Sequence, residues 1–190
     1  MANGYWNRVL RVDLSSGNIR ADEVSEDVWK LSIGGAGYGA MVLLEEATAD
    51  TDPLGPDNPL IFALGPYQAG GNPGNAKWSV VTKSPLTGTY ADSAASANWG
   101  PALKRAGYDA LIVTGRANSP VYLLIDEDHV EIKDARSLWG LDAYAAVDVV
   151  RHIDKDLSVV TIGPAGEKQV RFACLVVDAH SFAGRCGIGA

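Results

Sequence analysis

The chain has 190 residues, 47% of them hydrophobic, which suits one globular domain with a sizeable core. Its 16 basic and 23 acidic residues leave a net charge of −7, which argues against a nucleic-acid surface and favours small molecules or a docking redox protein as partners. Cys174 and Cys186 are too few for a disulfide framework and lack paired metal spacing, so a reducing, cytoplasmic setting is expected. Met1 to Trp6 has no signal-peptide architecture, and no apolar run reaches membrane-spanning length.

Leu10, Val12 and Leu14 alternate with polar residues, and Ser15-Ser16-Gly17-Asn18 turns the chain into Ile19–Val24, which predicts a β-hairpin. Ser25 reads as the N-cap of a helix ending before Gly34-Gly35, and a second helix is expected over about Tyr38–Ala47. Asp50–Pro59 reads as loop, Ile61–Leu64 as a buried strand, and Gln68–Lys77 as an open glycine-rich segment. A strand at Trp78–Thr82 leads into a turn at Ser84-Pro85-Leu86-Thr87-Gly88. Pro101 suits the first position of a helix that Gly107 stops, followed by a strand at Ala110–Thr114. Val121–Ile125 and Val130–Ile132 form a hairpin through Asp126-Glu127-Asp128. Asp142 caps a helix with Ala143, Ala146, Val147, Val150 and Ile153 on one face, before strands at Leu157–Ile162 and Phe172–Val177.

Two patterns recur. Gly34–Ala40 and Gly184–Ala190 share the frame Gly-x-x-Gly-x-Gly-Ala, the kind of loop that presents bare N–H groups to phosphate. A strand followed by Gly-Pro occurs at Gly65-Pro66 and at Gly163-Pro164. Together they predict an α+β domain with an internal duplication, since strands and helices do not alternate as a doubly wound sheet requires.

The chemical inventory is sparse. His129, His152 and His180 show no ligand spacing, and there is no nucleophile elbow, no phosphate-binding Walker loop and no paired metal cysteines. Cys174 reads as a buried thiol, whereas Cys186 beside Arg185 reads either as filler or as an activated thiolate. Gly35-x-Gly37-x-x-Ala40 satisfies the dinucleotide fingerprint, but a helical stretch precedes it, and a proline loop stands where the acidic ribose contact belongs. A nicotinamide-dinucleotide domain therefore stays an alternative, as does a non-catalytic scaffold subunit of an oxidoreductase complex. The chain reads as a platform for a cofactor whose reactive groups are supplied elsewhere.

Longer motifs carry a resemblance. Tyr5–Gly17, Pro56–Pro66, Val80–Gly88, Leu103–Ala110, Ile162–Glu167 and His180–Ala190 resemble, in order, the opening of the tungsten-containing aldehyde:ferredoxin oxidoreductases. The resemblance implies an amino-terminal domain, residues 1–190, forming a two-sheet β platform with a few short helices. It implies a tungsten bis-pterin cofactor on that platform and magnesium bridging the pterin phosphates. Later domains would hold a 4Fe-4S cluster, and relatives run on past Ala190. Aldehyde oxidation to carboxylate, transfer to ferredoxin or an iron–sulfur subunit, and an oligomeric enzyme are what such a family member would show.

Carried over by position, the implied cofactor contacts are Lys77, Ala94, Ala95, Ser96, Ser181, Phe182, Gly184 and Arg185. Lys77 stands where the family has an arginine, keeping the charge without the bidentate fork. Ala94, Ala95 and Ser96 fall on a phosphate- and magnesium-contacting loop, Ser181 replaces an arginine, and Phe182 a small residue. Ala94 and Phe182 are the implied magnesium contacts, through backbone carbonyls that need no particular side chain. Arg185 matches, and is the strongest phosphate or pterin candidate.

Overall fold

The computed structural model describes residues 4–127 and 129–190; Asp128, expected at a hairpin tip, lies outside them. The first hairpin pairs β1 (Arg8–Asp13) with β2 (Asn18–Glu23), from Arg8 opposite Glu23 to Asp13 opposite Asn18. Its turn is closed by Asp13, whose carboxylate accepts from Ser15 N and Ser16 Oγ, and by Gly17 at φ 73°. Ser25 Oγ accepts from Asp27 N at 3.3 Å and starts α1 (Glu26–Ser32), and α2 (Gly35–Glu46) follows within a few residues.

The next three strands, β3 (Leu60–Ala63), β4 (Trp78–Lys83) and β5 (Tyr90–Ala95), form an antiparallel meander. After α3 (Trp99–Arg105), β6 (Ala110–Thr114) enters between β1 and β3, giving the order β2-β1-β6-β3-β4-β5 with β1–β6 the parallel pair. Pro101 is the third helical residue of α3 rather than the first, because the helix is entered from Asn98.

Strand alternation gives this sheet two buried faces. Val9, Ile61, Val81 and Ile112 face Trp29, Tyr38 and Val42 of the α1–α2 layer. Leu10, Val12, Phe62, Val80 and Leu111 face the other way, onto the second half of the chain. That half opens with the hairpin β7 (Val121–Asp126) and β8 (His129–Asp134), whose Leu123, Ile125, Val130 and Ile132 pack on the same core. Then come α4 (Ala143–Ile153), β9 (Val160–Thr161), α5 (Pro164–Glu167), β10 (Leu175–Val177) and β11 (Ser181–Ala183), the last three strands ordered β11-β10-β9. Asp142 caps α4 as expected, accepting from Tyr144 N and Ala145 N at 2.9 Å, but Ile153 is exposed beyond the buried face.

Both halves therefore run hairpin, helix, three-stranded antiparallel meander. Gly65-Pro66 and Gly163-Pro164 each follow the first meander strand and mark this repeat. The glycine frame does not. Gly34–Ala40 opens α2 ahead of its meander, with Gly34 and Gly35 at φ 80° and 53°, whereas Gly184–Ala190 follows β11, with Cys186 and Gly187 at φ 65° and 74°. The two frames are alike in sequence and different in backbone.

Candidate functional site

β5 is an edge strand of the large sheet and β11 an edge strand of the small one, and they lie against each other. Two anchors set their direction. Ser96 N donates to Ser181 Oγ at 3.0 Å, at the end of β5 and the start of β11. On the turn before β5, Ser84 Oγ donates to the Cys186 carbonyl at 2.8 Å. β11 therefore runs antiparallel beside β5. Ala91, Ser93 and Ala95 point inward and Tyr90, Asp92 and Ala94 outward, so small residues line much of the edge. A side chain at Gly184 would meet no heavy atom within 4 Å, which leaves the seam open there.

At the first end stand Lys77, Ala95, Ser96 and Ser181. Trp78 pairs with Ala95, so exposed Lys77 lies across the ladder from Ser96. Its carbonyl is held by Gln68 Nε2. Beneath it, Trp78 packs with Phe62 and Trp99 at centroid distances of 5.7 and 4.8 Å. Ala95 is turned into the core at 3% exposure, so its side chain is not a contact surface. Ser181 already accepts the Ser96 N–H, so it ties the two strands together. Ala94 and Ala95 belong to strand β5, where the expectation was a loop. By the two-residue alternation of an antiparallel edge, the Ala94 carbonyl faces the same way as the Ser96 N–H, toward β11. Phe182 pairs with Val176 and leaves its ring half exposed.

Gly184 and Arg185 lie at the far end. Arg185 follows Ser181 by four residues, a reach of at most about 14 Å, so the implied contacts form a short strip with a cation toward each end. Neither Lys77 nor Arg185 has an ion pair or a side-chain hydrogen bond among the described residues. Sequence reasoning missed Gln68 and Ser84; for Ser84, the Ser-Pro-Leu-Thr-Gly run signalled a turn but not its long-range contact.

The remaining candidates are structural. Among the described residues no group of three His, Cys, Asp or Glu could hold a metal. His152 Nδ1 meets the Asp148 carbonyl and His180 Nδ1 the Asp178 carbonyl, both at 2.7 Å. Both cysteines are free and partly exposed, so Cys174 is not the buried strand thiol expected. In the dinucleotide-like frame, a Cβ at Gly37 would lie 2.4 Å from Ser32 O and one at Gly39 2.5 Å from Val81 Cγ2. Those glycines serve the close packing of α2 on α1 and β4 and present no phosphate loop. Deep in the core, the Lys104–Asp109 ion pair is fully enclosed, and Asp109 also accepts from Trp6 N at 2.9 Å. Burial pushes the Lys104 ammonium below the usual lysine range, and Asp109 opposes that.

Residues 9–190 match the family model described as aldehyde ferredoxin oxidoreductase, N-terminal domain. The chain belongs to that family. It is 42% identical over 189 residues to the tungsten-containing aldehyde ferredoxin oxidoreductase of Pyrococcus horikoshii, covering 98% of this chain and 31% of the relative. It is 37% identical over 203 residues to the aliphatic sulfonate oxidoreductase, WOR-like subunit, of Pyrococcus furiosus, covering 98% of this chain and 32% of that protein. The active site complex BamBC of benzoyl coenzyme A reductase with 1,5-dienoyl-CoA shares the fold at TM-score 0.95 and 35% identity, over 100% of this chain and 29% of its own. The chain thus spans about a third of the length of the curated relatives it matches. No helix of the described residues is long and apolar enough to cross a membrane.

Proposed function

We propose that residues 1–190 are the cofactor-holding domain of a tungsten-dependent aldehyde oxidoreductase, working in the cytoplasm as part of an oligomer. The observation that carries this reading is the β5–β11 seam: a strip, open at Gly184, with a cation toward each end that has no ion pair among the described residues, in a chain of this family. The residues suit an elongated anionic group with two like halves. Lys77 Nζ at one end and the Arg185 guanidinium at the other neutralise phosphates. Ser96 and Gly184 allow close backbone approach, and the carbonyls of Ala94 and Phe182 offer hard oxygen ligands to magnesium.

When bound, the tungsten bis-pterin supplies two-electron oxidation of an aldehyde to a carboxylate, with electrons leaving singly through a 4Fe-4S cluster ligated outside this chain to ferredoxin or an iron–sulfur subunit. This domain's residues bind and orient that group and set its electrostatic surroundings. The names of the relatives, aldehyde ferredoxin oxidoreductases among them, support the substrate class and the acceptor.

Tungsten and pterin per protein after gel filtration of the intact enzyme test the reading. Lys77→Ala and Arg185→Ala are each expected to lower the content, whereas Ala94→Ser, which keeps the carbonyl, leaves it nearly unchanged. Full occupancy in both charge-removal variants with loss in Ala94→Ser would overturn the assignment, and active enzyme free of tungsten and molybdenum would overturn the function.

A further inference from the structure

We propose that Ser84, 102 residues before its partner Cys186 in the chain, is a positioning residue that sets where Arg185 stands at the far end of the seam. The inference rests on the reading of Arg185 as a cofactor contact. Ser84 is fully buried, at 0% exposure. Its hydroxyl donates to the Cys186 carbonyl at 2.8 Å and accepts from Leu86 N at 3.1 Å and Thr87 N at 3.0 Å. One donor and two lone pairs are thereby all used, so the hydroxyl has a single satisfied orientation.

The partners on each side make that contact a mechanical link. Ser84 N donates to Thr89 O, and Gly88 N to Ser84 O, both at 2.8 Å, which locks Ser84 to the entry of β5. Across the seam, Cys186 is held at φ 65°, unfavourable for a residue with a side chain. Gly187 follows at φ 74°, packed so closely that a Cβ would lie 1.9 Å from Arg171 O and 3.2 Å from Pro85 Cγ. Arg185 sits between this clamped pair and Gly184, whose surroundings are open. On its C-terminal side the Arg185 backbone is bonded to Cys186, and Ser84 holds the carbonyl of that residue. With Ser96–Ser181 setting the other end, Ser84–Cys186 completes the span that a ligand contacting both ends must match.

A double-mutant cycle on the intact holoprotein tests this, reading tungsten per protein after gel filtration for parent, Ser84→Ala, Arg185→Ala and the double variant. Ser84→Ala is expected to lower retention by about fivefold, the scale of one lost hydrogen bond, and to add nothing once Arg185 is gone. Independent, multiplying losses overturn the positioning role while leaving the Arg185 contact standing. Full retention in Arg185→Ala overturns the contact and the inference with it. In parallel, hydrogen exchange at the amides of Gly189 and Ala190, bonded to Ala173 O and Gly187 O, is expected to quicken in Ser84→Ala while α1 is unchanged. Unchanged exchange there overturns the link. If Ser84→Ala does not fold, Ser84→Cys, nearly the same size but a weak donor, enters the same cycle.

Discussion

The two meanders of this domain share an element order and are held by different physics. β3, β4 and β5 supply strands of four to six residues whose Ile61, Val80 and Val81 are completely buried between two layers. β9, β10 and β11 are two or three residues long, and although Val177 and Ala183 reach the core, their ladders are short. Polar contacts add to that burial. Asp178, 4% exposed, accepts from Arg151 Nη2 at 2.8 Å, Ser158 Oγ at 2.6 Å and Val159 N at 2.8 Å. A duplicated scaffold has become a thick support on one side and a thin, polar-anchored sheet on the other. The candidate site lies along the seam where they meet, a placement that lets one edge be adjusted by single contacts without disturbing the core.

The sharpest way to break the comparison is to attack the support. Asp109→Ala strands the Lys104 ammonium, which has no exposed side-chain surface, and also strips an acceptor from Trp6 N. A loss of about 3–5 kcal/mol is expected, seen as a large drop in the denaturant midpoint or as failure to fold. A variant within about 0.5 kcal/mol of the parent would mean that this enclosed pair is not holding α3 against β1.

Asp178→Ala is the matching attack on the thin sheet and is expected to act locally. Its three donors lose their acceptor, costing about 1–3 kcal/mol. Hydrogen exchange is expected to rise over residues 158–161 and 175–183 while β1, β3 and β6 stay protected. An equal rise across the large sheet would show that the two halves open as one unit, and the comparison would fail.

The smallest effect is a pH dependence confined to the α1–α2 layer. Tyr38 is 5% exposed, and its phenol is pushed from 10.0 up to about 12, chiefly by burial, with Arg11 opposing. The fold favours the neutral phenol, so this group's stabilisation is complete below pH 10.0 and is lost as pH rises through about 12. Tyr38→Phe is expected to flatten that part of the stability–pH curve. An identical alkaline decline in both proteins would assign the loss to other groups.

Much of the first half was legible because its signals are local. The Ser15–Asn18 turn, the Ser25 cap and the alternation in β1 each act within a few residues, and the Asp142 cap is the second half's local counterpart. β5 was not legible, since Tyr-Ala-Asp-Ser-Ala-Ala lacks branched and aromatic residues in the buried positions, and its strand geometry comes from pairing with β4. The strands expected at Leu157–Ile162 and Phe172–Val177 were overextended, because apolar composition does not show where the ladder ends: Phe172 is exposed, and the Val159 amide bonds Asp178 instead.

The sequence by itself determined the family, through motifs spread along the whole chain, and the helix and hairpin boundaries that caps and turns encode. Tertiary structure decided the shape of the candidate site. Ser84 and Cys186 are 102 residues apart, and Ser96 and Ser181 are 85 apart, yet these two hydrogen bonds orient β11 against β5 and put Arg185 at the opposite end of β11 from Ser96. Local pattern carries no record of such contacts, because a serine hydroxyl meets any accessible carbonyl or amide equally well, and only the packed sheets determine which one it reaches.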